Sequence, residues 1–88
     1  MTLRELMSVC GDRPLEVIAV TGERFGVSIK SSDVKDCAGD SVICSAVGFG
    51  VTLDEAVLDL CRRLSNKLLI LDAWTDQRRE IPLPTVTP

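Results

Sequence analysis

The sequence predicts an α+β domain: a helix, three antiparallel strands, a second helix, and a two-strand appendage at the C-terminal end. Three observations predict it. Thr2-Leu3-Arg4-Glu5 and Thr52-Leu53-Asp54-Glu55 both spell the capping box, in which the threonine hydroxyl accepts the glutamate N–H and the glutamate reaches back to the threonine N–H. Between these two helix starts the chain is β-branched or alternates apolar and polar residues, as half-buried strands do. After the second helix comes Leu68-Leu69-Ile70-Leu71, a continuous apolar run of the kind a strand shows when both its faces are covered.

Each element follows in order. Leu3, Leu6, Met7 and Cys10 recur on one helical face, giving a first helix over residues 3–10 that Gly11-Asp12 ends. Arg13 precedes Pro14 and is thereby pushed out of the helical region, so the chain enters the next element extended. Residues 15–20 and 25–30, joined by Thr21-Gly22-Glu23-Arg24, form a hairpin with Phe25, Val27 and Ile29 toward the core and Ser28 and Lys30 toward water. This leaves one sheet face for solvent or a partner. Residues 31–40 hold only Val34, Cys37 and Ala38 as apolar members and read as a ten-residue loop of the length that often carries function.

Residues 41–47 form the third strand, with Val42, Cys44 and Ala46 on one face, and Gly48-Phe49-Gly50 leads into the second helix. There Leu53, Ala56, Val57, Leu60, Cys61 and Leu64 form one stripe, which is the spacing that lets a helix lie on a sheet. Asp54 and Glu55 in its first turn and Arg62 and Arg63 in its last match the macrodipole, and Asp59 is one turn from Arg63. Ser65-Asn66 supplies a left-handed stop. A strand over residues 67–74, a turn at Thr75-Asp76-Gln77 and a short strand over residues 78–81 complete a single domain spanning 1–84. Pro82, Pro84 and Pro88 rule out further regular pairing, so residues 85–88 are an extended or disordered tail.

Composition excludes several function classes. Ten basic and thirteen acidic residues give a net charge of −3, against the basic excess that binding DNA or RNA phosphates requires. No apolar run reaches membrane-spanning length and the N-terminal residues show no basic-then-apolar leader, so the expected location is the cytoplasm. Cys10, Cys37, Cys44 and Cys61 form no C-x-x-C pair and no histidine accompanies them, which points to free thiols and no metal or other cofactor. With neither histidine nor tyrosine present, and no carboxylate pair or Ser-Lys arrangement, the chain is expected not to be an enzyme.

Two stretches are candidate ligand sites. Gly48, Phe49 and Gly50 precede a helix N-terminus, where free N–H groups and the helix dipole converge on an anion. The simpler role for the two glycines is to make the tight strand-to-helix turn. Trp74, Arg78 and Arg79 flank a short turn, and a tryptophan beside two arginines grips a purine by stacking and a phosphate by a bidentate fork. The alternative is that Trp74 caps the core and the arginines guard an edge strand.

The helix-strand-strand-strand-helix order resembles the double-stranded-RNA-binding domain (dsRBD-like), and Gly50-Val51-Thr52-Leu53-Asp54-Glu55-Ala56 is similar to the G-x-T-x-x-E-A helix entry of HicB-type antitoxins, which share part of that fold. The first resemblance implies lysines at the start of the second helix for RNA phosphates; here Asp54 and Glu55 stand there, against RNA. The second implies an antitoxin that binds its toxin, in this case without a DNA-binding segment. Asn66 to Pro84 also looks like the end of small bacteriophage accessory proteins with the same helix entry, a resemblance that implies counter-defence. The expected function is therefore a non-catalytic binding or inhibitor module. It would block or sequester a host protein or a small nucleotide signal as a homo-oligomer, whose copies pair through the apolar final strands.

Overall fold

A computed structural model describes residues 1–20, 22–36 and 43–88. Its elements run α1 (Leu3–Val9), β1 (Leu15–Val20), β2 (Arg24–Asp36), β3 (Ile43–Gly50), α2 (Leu53–Leu64), β4 (Lys67–Leu71) and β5 (Arg79–Pro82). The fold is α+β, with helix, strands, helix and strands in that order around one antiparallel sheet.

The sheet is organised by β2, which changes partner halfway along. Its first half, Arg24 to Ile29, pairs with β1, and Ser32 to Asp36 pairs with β4 on the same edge. The opposite edge pairs throughout with β3, across an irregularity between Ser28 and Asp33. Strand β5 lies outside β4. The expected two-strand appendage is thus a continuation of the main sheet.

The irregularity has a local cause. Ser31 stands at φ 56°, a left-handed conformation that turns the strand. The Ser32 hydroxyl donates to the Ile29 carbonyl at 2.6 Å, and Asp72, itself at φ 52°, donates its N–H to the Ser31 carbonyl at 3.0 Å. Residues 31–36, expected as loop from their mostly polar side chains, therefore continue the strand, because backbone pairing to β3 and β4 decides the structure there. Residues 37–40 of that expected loop, Ser41 and Val42 of the third strand, and Thr21 of the hairpin turn lie outside the described residues.

Helix α2 lies against β3 unusually closely. A Cβ added to Gly48 would sit 2.2 Å from the Leu60 nitrogen and 2.3 Å from the Ala56 carbonyl oxygen, and one on Gly50 would sit 2.5 Å from the Ala56 nitrogen. Only glycine admits the helix at that distance. Ala56, Leu60, Cys61 and Leu64 then meet Val27, Ile29, Ala46, Leu69 and Leu71 in one core, to which α1 adds Leu3, Leu6 and Cys10. Two members of the expected inward pattern, Leu53 and Phe25, remain exposed because each stands at the end of its element, beyond the covered area. The apolar run in β4 is buried on both faces, since Leu69, Ile70 and Leu71 are all inaccessible to solvent.

Both helix starts carry the expected threonine caps, with Thr2 accepting the Glu5 N–H and Thr52 the Glu55 N–H. The reciprocal arm at α2 differs by one residue: Glu55 accepts the N–H of Val51 at 3.0 Å, not that of Thr52. Asn66, at φ 61°, gives α2 its left-handed exit. The chain end is extended and held down. Thr87 bridges Thr2 in parallel, Val86 donates to the Ser65 hydroxyl at 2.8 Å, and Leu83 and Val86 are buried in the core.

Candidate functional site

A concave surface gathers where β2 changes partner. Strand β4 ends at Leu71, and the left-handed backbone of Asp72 throws the chain into a turn that Thr75 locks. The Thr75 N–H and hydroxyl both donate to the Asp72 carbonyl, at 3.1 and 3.0 Å. The Thr75 hydroxyl also accepts the Gln77 N–H at 3.1 Å, and Arg78 donates back to the Thr75 carbonyl at 3.3 Å. This is the hydroxyl-braced turn that Ser and Thr favour. It holds Trp74 88% exposed at the rim of a cleft of about 280 Å³ lined by Ser31, Ser32, Asp33, Asp72, Ala73, Trp74 and Thr75.

Arg13 fixes this cleft from behind. Its guanidinium forks onto the Asp72 carboxylate, with Nη1 at 3.1 Å from Oδ1 and Nη2 on Oδ2, and also donates to the carbonyls of Cys10 and Lys30. The Arg13 hydrogen bond holds the Asp72 carboxyl below the usual carboxylate range, while the same bond raises the Arg13 pKa. One side chain thus ties the entry to β1, the bend in β2 and the end of β4.

The cleft is acidic and aromatic. Asp72 is neutralised by Arg13, but Asp33 makes no ion pair among the described residues, and no lining residue is basic. The two arginines singled out beside Trp74 point elsewhere. Arg78 pairs with Glu80 at 2.8 Å, and Arg79 donates to the Val9 carbonyl at 3.0 Å, fastening the β5 start to the end of α1. Trp74 does not cap the core; the turn carries it clear of the sheet. Arg13 and Asp72 are not visible as a pair in the sequence because they are 59 residues apart, and Asp33 joins them at the cleft only through the fold; the one local signal is Asp72 ending an apolar run.

Gly48, Phe49 and Gly50 form a separate region, since they pair with Phe25, Gly26 and Val27 whereas the cleft lies over Ser31 to Asp33. Their surroundings are supplied by the chain itself. The Phe49 N–H donates to the Asp59 carboxylate at 2.8 Å, Arg63 bonds the same oxygen at 2.8 Å, and the Arg63 guanidinium lies 5.6 Å from the Phe49 ring centre. The N–H of Val51, the next along, is taken by Glu55. Burial works to raise the Asp59 pKa, and the Phe49 N–H with Arg63 and Arg62 outweighs it, leaving the carboxyl lower than usual. At this helix entry the glycines bring the helix close and the carboxylates occupy the amides an anion would use.

Among the described residues no three His, Cys, Asp or Glu side chains are grouped to hold a metal ion, and no helix is long and apolar enough to cross a membrane. Cys10, Cys44 and Cys61 are free thiols, with Cys44 exposed; burial raises the pKa of the other two. Comparison of the chain with models of protein families, with curated proteins and with solved structures gives no match.

Proposed function

We propose that the protein is a non-catalytic binding module that blocks or sequesters a host protein, in the manner of a phage counter-defence protein, and that Trp74 is its principal contact. One observation carries the reading: the chain's single tryptophan stands 88% exposed on a braced turn at the mouth of a cleft. Such a large apolar side chain, held in water on a rigid support, is the composition of an interaction hot spot.

The chemistry of the cleft favours a protein over a nucleotide. A phosphate group would meet Asp33 and Asp72, and the arginines that would grip it are bound to Glu80 and to the Val9 carbonyl. A lysine or arginine side chain of a partner instead finds an indole face for cation–π contact and the Asp33 carboxylate for an ion pair. The cleft offers two serine hydroxyls with no imidazole, thiol or amine beside them, so binding is supported and nucleophilic catalysis is not.

The test is capture of the partner from host extract by wild type and by Trp74→Ala, followed by titration of the purified partner against Trp74 fluorescence. Loss of a hot-spot tryptophan should weaken binding by roughly 30-fold or more, equivalent to about 2 kcal/mol. Thermal stability should be unchanged because the side chain is exposed. Equal affinity of the two proteins for the partner, or saturable quenching of Trp74 by free nucleotides, would refute the reading.

A further inference from the structure

We infer that two copies of this chain join through strand β1, in an antiparallel register centred on Val17, to make one continuous sheet. The inference stands on the sheet edges and is independent of the role proposed for Trp74.

The three edges of the sheet are not alike. The β3 edge is closed at Phe49, whose N–H is taken by Asp59 while Arg63 covers the ring. The β5 edge is four residues long, carries exposed Arg79 and Glu80, and ends in Pro82, which has no N–H to offer. These are the usual guards against strand pairing. Strand β1 is less guarded: its one charge is Glu16, near its start, and Pro14 lies just outside it. It is six residues long, no described strand pairs with its outer side, and its central residues Val17 and Ile18 are 56% and 49% exposed. The final strands, expected from the sequence to join the copies, are the guarded end of the sheet.

Backbone register then selects the pairing. Lys30 donates its N–H to the Pro14 carbonyl, so in the antiparallel ladder Pro14, Glu16, Ile18 and Val20 turn their hydrogen-bonding groups inward to β2. Leu15, Val17 and Ala19 turn theirs outward. A two-fold axis perpendicular to the sheet through Val17 sets Val17 opposite the second copy's Val17, and Leu15 opposite its Ala19 and the reverse. These are three pairs of outward-facing residues exchanging two bonds each, or six hydrogen bonds. Glu16 falls opposite the second copy's Ile18 and not opposite its own counterpart, so like charges are not paired across the seam. The two α2 helices lie on the same face of the joined sheet.

The test uses the full chain at high micromolar concentration. Light scattering should give a mass twice that of one chain. Val17→Pro removes an outward N–H without touching the inward bonds of Glu16 and Ile18, and should halve the mass while leaving the far-UV circular dichroism unchanged. In a Cys37→Ser, Cys44→Ser background, Val17→Cys should form a disulfide-linked dimer on oxidation, because a hydrogen-bonded antiparallel pair holds Cα atoms about 5.5 Å apart, within disulfide reach. Ile18→Cys should not, since this register separates its two copies by about 8 Å. A wild-type mass equal to one chain, or a dimer that survives Val17→Pro, overturns the inference. Cross-linking through Ile18→Cys in preference to Val17→Cys overturns the register.

Discussion

Replacing Gly48 with alanine places a methyl group where the backbone of α2 now lies, and the cost can be worked from the distances. The new Cβ would stand 2.2 Å from the Leu60 nitrogen, against about 3.4 Å for ordinary contact, so helix and strand must separate by about 1.2 Å. The three nearest obstructing atoms, the Leu60 nitrogen and Cα and the Ala56 carbonyl oxygen, are all helix backbone, which cannot rotate away as a side chain would. A gap of about 0.5–1 Å already forfeits a quarter to a half of the dispersion energy of each contact. Here the separation falls where Ala56, Leu60 and Leu64 meet the sheet.

The expected loss is about 3 kcal/mol, the upper end of the range for overpacking. For a chain of this size that lowers the unfolding midpoint by roughly 12–24 °C, a large share of a total stability of about 4–13 kcal/mol. Gly26→Ala is the control. Its Cβ would meet Phe49, Val20 and Val47 side chains at 3.4–3.5 Å, which is ordinary contact. Reduced freedom of the unfolded chain should make it neutral or stabilising by up to about 1 kcal/mol. Thermal unfolding followed by circular dichroism checks both. Equal midpoints for Gly48→Ala and wild type would refute the argument that α2 rests on the glycine backbone.

Two further outcomes are expected. Asp59→Ala leaves the Phe49 N–H and Arg63 without their acceptor, and should cost about 1–3 kcal/mol in urea unfolding. Asp59→Asn, which keeps an acceptor, should cost less, and two variants as stable as wild type would show that the edge contact contributes nothing. The Asp72 carboxyl is held low by Arg13, so its contribution to stability is complete above the ordinary carboxylate pKa of about 3.9 and is lost as pH falls below it. Asp72→Asn should therefore lower stability near neutral pH and flatten part of the acid limb of the stability–pH curve, with Asp59 supplying some of what remains; a curve superimposable on wild type would refute this.

The Trp74 cleft and the β1 edge occupy different parts of the sheet, and both trace to the bend in β2. Because β2 gives its first half to β1 and its second half to β4, β1 has an outer side with which no described strand pairs. At the changeover the backbone must turn, and Ser31 and Asp72 take left-handed conformations there. Left-handed positions of this kind persist only where the surroundings hold them. Arg13 is the group that holds this one.

Local chemistry was legible in the residues themselves. The two Thr-x-x-Glu starts, the α2 stripe, the Asn66 exit and the β4 run all act within one or two turns of chain, and their spacing alone determines helix, strand and buried face. The pairing of β2 with three neighbours, the path of the tail and the shape of the Trp74 cleft were decided only by tertiary structure. Ser31 to Asp36 read as loop because its side chains are polar, yet β3 and β4 satisfy its backbone from both sides. The chain end, broken by prolines, still docks: Leu83 and Val86 are buried, and backbone bonds join Leu83 to Lys67 and Thr87 to Met1 and Leu3. Asp72 and Arg13 are 59 residues apart in sequence, and no periodicity can announce their fork. Trp74 was visible as a residue; that it stands in water over an acidic cleft, with Arg78 and Arg79 engaged elsewhere, depends on where Asp72 turns the chain.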